Sequence, residues 1–391
     1  MDFQKLQDFL KARQEPRFRF GQIAGAIGRQ GKASFLEIET IPLALRKILA
    51  KEFKVLSFTV EKIIEAKDKR TYKALFKLAD GNLLESVFMA PKPGEWSACL
   101  SCQVGCAMHC AFCATGEMGL KRNLTTEEIT DQVLFWRQFF VKMKSTEDPP
   151  MGETKQSREY KESDGIASAR QGGPRNDTKS VNFTHLVFMG MGEPFHNWPA
   201  VKQSLRDLLN PELFGFGSRG IAVSTSGLTP IIPEFVKEFP QVNLAISLHF
   251  ATDEKRSRYM PVNKAFSLEV LKKTLQDYFE VSRRKVFIEY VMLKDINDSQ
   301  EDAEQLALYL KSIGPIHLLH LNLIPYHAAG GDFASSPLAV IQSFGDYLRS
   351  HGFRVTVRRS LGLDIGGACG QLGKEKTIFS LPEILSGGLA G

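Results

Sequence analysis

The sequence contains no apolar run of about 18 residues or more, so no segment is suited to cross a bilayer as a helix. Its opening residues, MDFQKLQDFLKARQEPRFRF, lack an apolar centre followed by small residues. The expected compartment is therefore the cytoplasm, with no membrane partner. Charge of one sign is scarce as well, 50 Lys and Arg standing against 44 Asp and Glu for a net of +6. Cysteine is scarce, with 6 in 391 residues, and in a reducing compartment a few cysteines point to ligands or catalytic thiols rather than structural disulfides. At 43% hydrophobic and 24% charged, the composition excludes a wholly disordered or a fibrous chain. A length of 391 residues allows two or three domains with real cores, which excludes a scaffold held only by metal or disulfides.

What charge excess there is lies at one end. Residues 1–77 carry 17 basic and 9 acidic side chains, leaving 33 basic and 35 acidic for the rest. A basic segment ahead of a neutral body fits a polyanion partner, because each Lys or Arg at a phosphate releases a condensed counterion. The plain alternative is a solvated helical surface.

Apolar residues at spacings of three and four predict helices in FQKLQDFLKAR, FGQIAGAIGRQG and PLALRKILAKEF. From Leu56 to Met89 alternation predicts strands of a small sheet, with Asp80-Gly81 as a hairpin turn. From about Trp96 the apolar runs HLVFMG, GIAVSTSG, NLAISLHF, KVFIEYVML, HLLHLNLIP and FRVTVR alternate with amphipathic stretches such as TEEITDQVLFWRQFFVKM. This predicts an α/β fold with a parallel sheet covered by helices, whose chemistry gathers at the C-terminal ends of the strands. Thr125 and Glu128 form a capping-box pair. Residues 145–180 hold Met151, Tyr160 and Ile166 as their only large apolar side chains, and read as a disordered insertion.

Five cysteines fall together, at 99, 102, 106, 110 and 113, and the sixth is Cys369. Pairing Cys99-x2-Cys102 with Cys110-x2-Cys113 would give a four-thiolate zinc site, although the 7 residues between the pairs are few for that purpose and Cys106 is left over. Taking Cys106-x3-Cys110-x2-Cys113 as the unit gives three thiolates for a 4Fe-4S cluster whose fourth iron lacks a protein ligand and can bind a substrate.

Cys106-Ala-Met-His-Cys110-Ala-Phe112-Cys113 resembles the CxxxCxΦC signature of radical S-adenosylmethionine (SAM) enzymes. SCQVGC, KRNLTTEEI, MGMGEP, STSG, AISLH, EYVMLKDIND, LNLIP and DIGGACGQL are similar to the radical SAM methyltransferases that modify carbon 2 of an adenine in 23S rRNA and in certain tRNAs. The similarity runs from about Glu15 to Leu372. It implies a partial (β/α)6 TIM-like barrel over 96–372, a basic helical RNA-binding domain over 1–55, a β-rich connector over 56–95 and a C-terminal tail over 373–391.

The resemblance also implies roles. Cys106, Cys110 and Cys113 hold the cluster, whose open iron chelates SAM. Gly192, Glu193, Ser224, Ser247, Leu248 and His249 contact SAM. Cys369 is methylated first, by polar transfer from one SAM. A radical from a second SAM then removes hydrogen from the S-methyl group, and the resulting carbon radical adds to the adenine. Glu85 removes the ring proton, and Cys99 resolves the adduct through a transient disulfide with Cys369. The partners implied are 23S rRNA, tRNA and a flavodoxin-type electron donor, acting on a monomer. Carbon 2 is electrophilic and carries no acidic hydrogen, so a radical route avoids the mismatch with SAM's electrophilic methyl.

Three positions depart from the family pattern. His327 stands where an Asn usually contacts SAM, Cys102 where Ser is common, and Leu361 where Arg is frequent. Two other functions stay open: a Cfr-like carbon-8 rRNA methyltransferase conferring antibiotic resistance, and a zinc-bound RNA-binding module. The segment from Phe18 to Leu49 is more like the carbon-2 group.

Overall fold

A computed structural model describes residues 1–92, 94–146, 183–328 and 332–373. Apart from the backbone of 145 and 146, which ends a helix, the insertion expected at 145–180 lies outside the described residues.

The three predicted N-terminal helices form at Phe3–Ala12, Phe18–Ala24 and Leu43–Glu52. In the first, the Asp2 carboxylate accepts the Lys5 amide at 2.7 Å, satisfying one of the free donors of the first turn. Phe3, Leu6 and Leu10, spaced by three and four, form its buried stripe.

The strands are β1 (Phe58–Glu65), β2 (Thr71–Leu78), β3 (Leu83–Lys92), β4 (Glu95–Cys99), β5 (Gln103–Gly105), β6 (Leu120–Asn123), β7 (Phe183–Phe188), β8 (Ile221–Thr225), β9 (Asn243–Ser247), β10 (Val286–Met292), β11 (Leu319–Pro325) and β12 (Arg354–Val357). Ten of them make one open sheet in the order β1-β2-β3-β4-β7-β8-β9-β10-β11-β12, and β5 pairs with β6. From β4 to β12 every pairing in that sheet is parallel. The six apolar runs are β7 to β12. A further parallel strand, β4, gave no sequence signal because Glu95 and Ser97 interrupt the apolar residues of EWSAC and leave no continuous apolar run.

The strands between Leu56 and Met89 form as expected, with Gly81 N–H donating to the Leu78 carbonyl at 2.9 Å across the turn. They are not a separate small sheet. β3 pairs with β2 on one edge and with β4 on the other, so the antiparallel strands extend the parallel sheet. The reason lies in β3 itself: Leu84 to Phe88 are buried in succession, on both faces, as a central strand requires.

The helix Thr126–Thr146 covers this junction. Its capping box is made, Glu128 N–H donating to Thr125 Oγ1 at 3.2 Å and Thr125 N–H to Glu128 Oε2 at 3.0 Å. Phe88 stacks between Trp96 at 4.7 Å and Trp136 at 5.2 Å, locking helix to sheet. Among the described residues no helix is long and apolar enough to cross a membrane.

Candidate active site

The C-terminal ends of the parallel strands converge on one rim. Cys99 closes β4, Ser224 and Thr225 close β8, Ser247 closes β9, and Gly192, Leu248, His249 and His327 follow their strands within a few residues. The loop carrying Cys106, Cys110 and Cys113 lies between β5 and β6. It is fixed by backbone bonds: Cys106 N–H donates to Gly119 O at 3.1 Å, Cys113 N–H to Cys110 O at 3.1 Å and Ala111 N–H to Tyr259 O at 2.9 Å. Phe112, the aromatic residue of the motif, packs edge-on to His249 with ring centres 5.1 Å apart and joins an apolar cluster with Phe250, Met260 and Tyr326.

Burial raises the three loop thiols, Cys106 to about 12, and each carries a further upward push from neighbouring acidic groups. Cys106 and Cys113 both bear on Cys110, and the Glu193 carboxylate bears on Cys106 and Cys110. Three thiolates so close repel unless a cation lies among them. Among the described residues no three His, Cys, Asp or Glu side chains converge on a single ion. A 4Fe-4S cluster does not ask for that, since each thiolate takes a different iron, and a soft three-thiol donor set suits it.

Gly192 has φ of +100°, and a Cβ there would lie 2.5 Å from the Cβ of Gln103, so backbone and space both require glycine. The turn aims Glu193 inward. Its Oε2 accepts the Ser226 amide at 2.8 Å and its Oε1 the Phe195 amide at 3.1 Å, while burial, working against these bonds, raises its pKa. Glu193 thus also caps the short 3-10 helix Pro194–Asn197. Ser224 Oγ and Ser247 Oγ lie 3.2 Å apart on adjacent strands. His249 has a left-handed backbone with φ of 57°, and its Nδ1 accepts the Val291 amide at 3.1 Å. Burial first, and Arg256 second, lower its pKa to about 3, so the ring is neutral. His327 Nε2 meets Ser360 Oγ, and burial lowers its pKa.

Cys369 reaches the site on a C-terminal loop stitched to both flanks. Ala114 N–H donates to Gly370 O at 2.9 Å and Thr115 Oγ1 to Leu372 O at 2.8 Å on the cysteine-loop side. On the sheet side Gly373 N–H donates to Glu85 Oε2 at 2.7 Å and Lys67 N–H to Asp364 Oδ2 at 2.8 Å. Gly362 turns the loop with φ of +67°, where a Cβ would lie 2.6 Å from Thr71 Cγ2. Cys369 is exposed at the rim, and Cys99 is buried. The Cys99 thiol is raised by burial and, next, by Cys369. All six cysteines are free, so the disulfide expected between Cys99 and Cys369 is not formed.

No family model matches the chain. The ribosomal RNA large subunit methyltransferase Cfr of Clostridium botulinum strain Okra is 36% identical over 370 residues, covering 94% of this chain and 96% of that protein. The protein of the same name from Bacillus velezensis is 35% identical and covers 94% and 95%. The crystal structure of a radical SAM methyltransferase from Sphaerobacter thermophilus is 35% identical with a TM-score of 0.78, covering 95% of this chain and 97% of that one. The chain belongs to the radical SAM ribosomal RNA methyltransferases. A 4Fe-4S cluster and SAM follow as the cofactors of such an enzyme.

Several groups that hold this radical SAM methyltransferase site together escaped the sequence reading. Arg256 is fully buried and donates to Leu248 O at 3.2 Å, Ser226 O at 2.5 Å and Asn263 Oδ1 at 2.8 Å, tying two strand ends together. In DEKRSRY it looks like one surface charge among several. Glu289, buried on β10, accepts from Asn322 Nδ2 at 2.8 Å. Lys73, buried on β2, pairs with Glu85 at 2.9 Å. A charged residue inside an otherwise apolar strand, as in KVFIEYVML and TYKALFKL, is the signal that could have found the last two.

Proposed function

We propose that this chain methylates an adenine of 23S rRNA through a methyl group carried on Cys369, and acts on tRNA as well. One observation carries the reading: the loop bearing Cys369 is hydrogen-bonded to the cysteine loop through Gly370 and to Glu85 through Gly373. The proposed methyl carrier, a carboxylate and the loop of three proposed cluster thiols are thus tied together by hydrogen bonds.

Cys106, Cys110 and Cys113 would hold the cluster, and Glu193 with Gly192, Ser224, Ser247, Leu248, His249 and His327 would hold SAM. When bound, these cofactors supply the methyl group and the radical that activates it, fed by a flavodoxin-type donor. The residues of the chain do the rest. Glu193 offers a carboxylate acceptor to an ammonium group. Neutral His249 can approach a sulfonium without repulsion. His327 offers a ring nitrogen where the family's Asn offers an amide, and recovers part of its bonding. Cys369 accepts the methyl group, and Glu85 takes the proton from the methylated ring carbon. Cys99 attacks the Cys369 sulfur to release the product. The exposed Lys and Arg of residues 1–55, including Lys5, Lys11, Arg13 and Arg17, grip the RNA phosphates.

Two ring positions compete. Carbon 2 rests on the resemblance of residues 18–49 to the carbon-2 group. Carbon 8 rests on the name Cfr that the similar proteins bear, the name of the carbon-8 alternative. We take carbon 8 as the reading the relatives favour. Anaerobic protein with reconstituted cluster, SAM and reductant, incubated with 23S rRNA and analysed by nucleoside mass spectrometry, should yield 8-methyladenosine. 2-Methyladenosine would restore the carbon-2 assignment, and absence of both would overturn the proposal.

A further inference from the structure

Lys73 and Glu85 stand on neighbouring strands β2 and β3 and are 5% and 7% exposed. Lys73 Nζ lies 2.9 Å from Glu85 Oε1 and donates to Gly366 O at 3.5 Å, while Glu85 Oε2 accepts Gly373 N–H at 2.7 Å. The two carbonyl and amide partners are the two ends of the segment that carries Cys369. A buried ammonium in the middle of a sheet is costly unless paired, and its one carboxylate partner among the described residues is Glu85. A solvated surface pair would need no such placement.

We infer that Lys73 is a positioning residue: it fixes the Glu85 carboxylate at one oxygen and the Cys369 loop at Gly366, so that base and methyl carrier face the same adenine. This rests on the function proposed above. The ammonium occupies Oε1 and directs Oε2 toward the loop, where the Gly373 amide holds it. When RNA enters and the Gly373 bond opens, Oε2 is freed to accept the ring proton while Oε1 stays held. The adduct radical also gives up one electron, to a one-electron acceptor such as the iron-sulfur cluster of the proposed site; the proton moves from the ring carbon to Oε2, and the C–H electron pair returns to the ring as aromaticity is restored. Without Lys73 the Cys369 loop still keeps its bonds from Ala114, Thr115 and Lys67, so the earlier methyl transfer to Cys369 persists while proton removal from the RNA adduct suffers.

The two half-reactions separate the outcomes. Intact-protein mass spectrometry reads methylation of Cys369, and nucleoside mass spectrometry reads methylation of RNA. In Lys73→Met, Cys369 should be methylated as in the parent protein while the RNA rate falls about a hundredfold, the lower range of what a positioned base contributes. Lys73→Arg, which keeps the charge, should recover at least a tenth of the parent rate. In a double-mutant cycle, Lys73→Met with Glu85→Gln should be no slower than Glu85→Gln alone, because the lysine acts through the carboxylate. Additive losses would overturn the inference. So would a normal RNA rate in Lys73→Met, equal loss of both half-reactions, or failure of Lys73→Arg to recover activity when it folds and retains its iron. A parent protein whose Cys369 is never methylated would overturn the underlying function instead, and the inference with it.

Discussion

The cysteine loop and the Cys369 loop meet at one site but are specified differently. Cys106, Cys110 and Cys113 lie within one turn-rich segment, and its spacing alone sets which thiols are neighbours. Cys369 and Glu85 become neighbours through a bond spanning 288 positions, made possible because the antiparallel strands continue the parallel sheet. The three thiols proposed to hold the cluster are thus placed locally, and the residues proposed to handle the RNA are brought together by topology. Damage to the first should remove the cofactor, and damage to the second should leave the cofactor in place.

Replacing Cys106, Cys110 or Cys113 with Ala should have the largest effect. Iron and acid-labile sulfide after anaerobic reconstitution should fall from about four each to near zero, and RNA methylation should vanish. Full iron content in any of the three variants would break the assignment. Cys369→Ala should abolish RNA methylation as completely while iron, sulfide and the visible spectrum stay as in the parent. A variant still methylating RNA would show that the methyl does not travel through this thiol.

Gly362→Ala probes the topological half more gently. The new Cβ meets Thr71 in a left-handed backbone, at a cost of about 1–3 kcal/mol. RNA methylation and the melting temperature should drop, with iron content unchanged. Next in size is the salt response of RNA binding. Changing Lys5, Lys11, Arg13 and Arg17 to Gln together should flatten the slope of log K against log salt by about 0.7–0.9 for each phosphate no longer neutralised. An unchanged slope would return those residues to the solvated-surface reading.

The smallest predicted effect is a pH dependence. His249 is held neutral in the folded protein by burial, its pKa lowered from 6.5 to about 3. The unfolded ring takes a proton below about 6.5, so its contribution to stability is complete above that pH and is lost as pH falls toward 3. The steepest loss is about 1.4 kcal/mol per pH unit. Urea unfolding of cluster-free protein at pH 7.5 and pH 5 should show this decline, and His249→Gln should reduce it.

Much of this was legible in the chain. Helix and strand periods placed the three N-terminal helices, the Thr126–Thr146 helix and six of the parallel strands, because burial on one face or both leaves a pattern in consecutive residues. Motif spacing singled out the three cysteines proposed as cluster ligands and, through MGMGEP, STSG and AISLH, residues that lie at strand ends on the rim. The helix Asp253–Tyr259 was not legible, because DEKRSRY has little apolar periodicity. Nor did any local pattern show that Arg256 is buried or that Lys73 and Glu85 are partners.

Spacing along the chain was enough to make Cys106, Cys110 and Cys113 neighbours, since three thiols on a tight loop stay close in any fold that keeps the loop. Which distant groups share the site depended on the assembled sheet. Pairing between strands fixes β3 against β4, and that pairing sets Glu85 beside the loop that brings Cys369 back across the sheet. A hydrogen bond between residues 85 and 373 costs chain entropy that no short segment can offset, so it exists only once the whole sheet is buried and ordered.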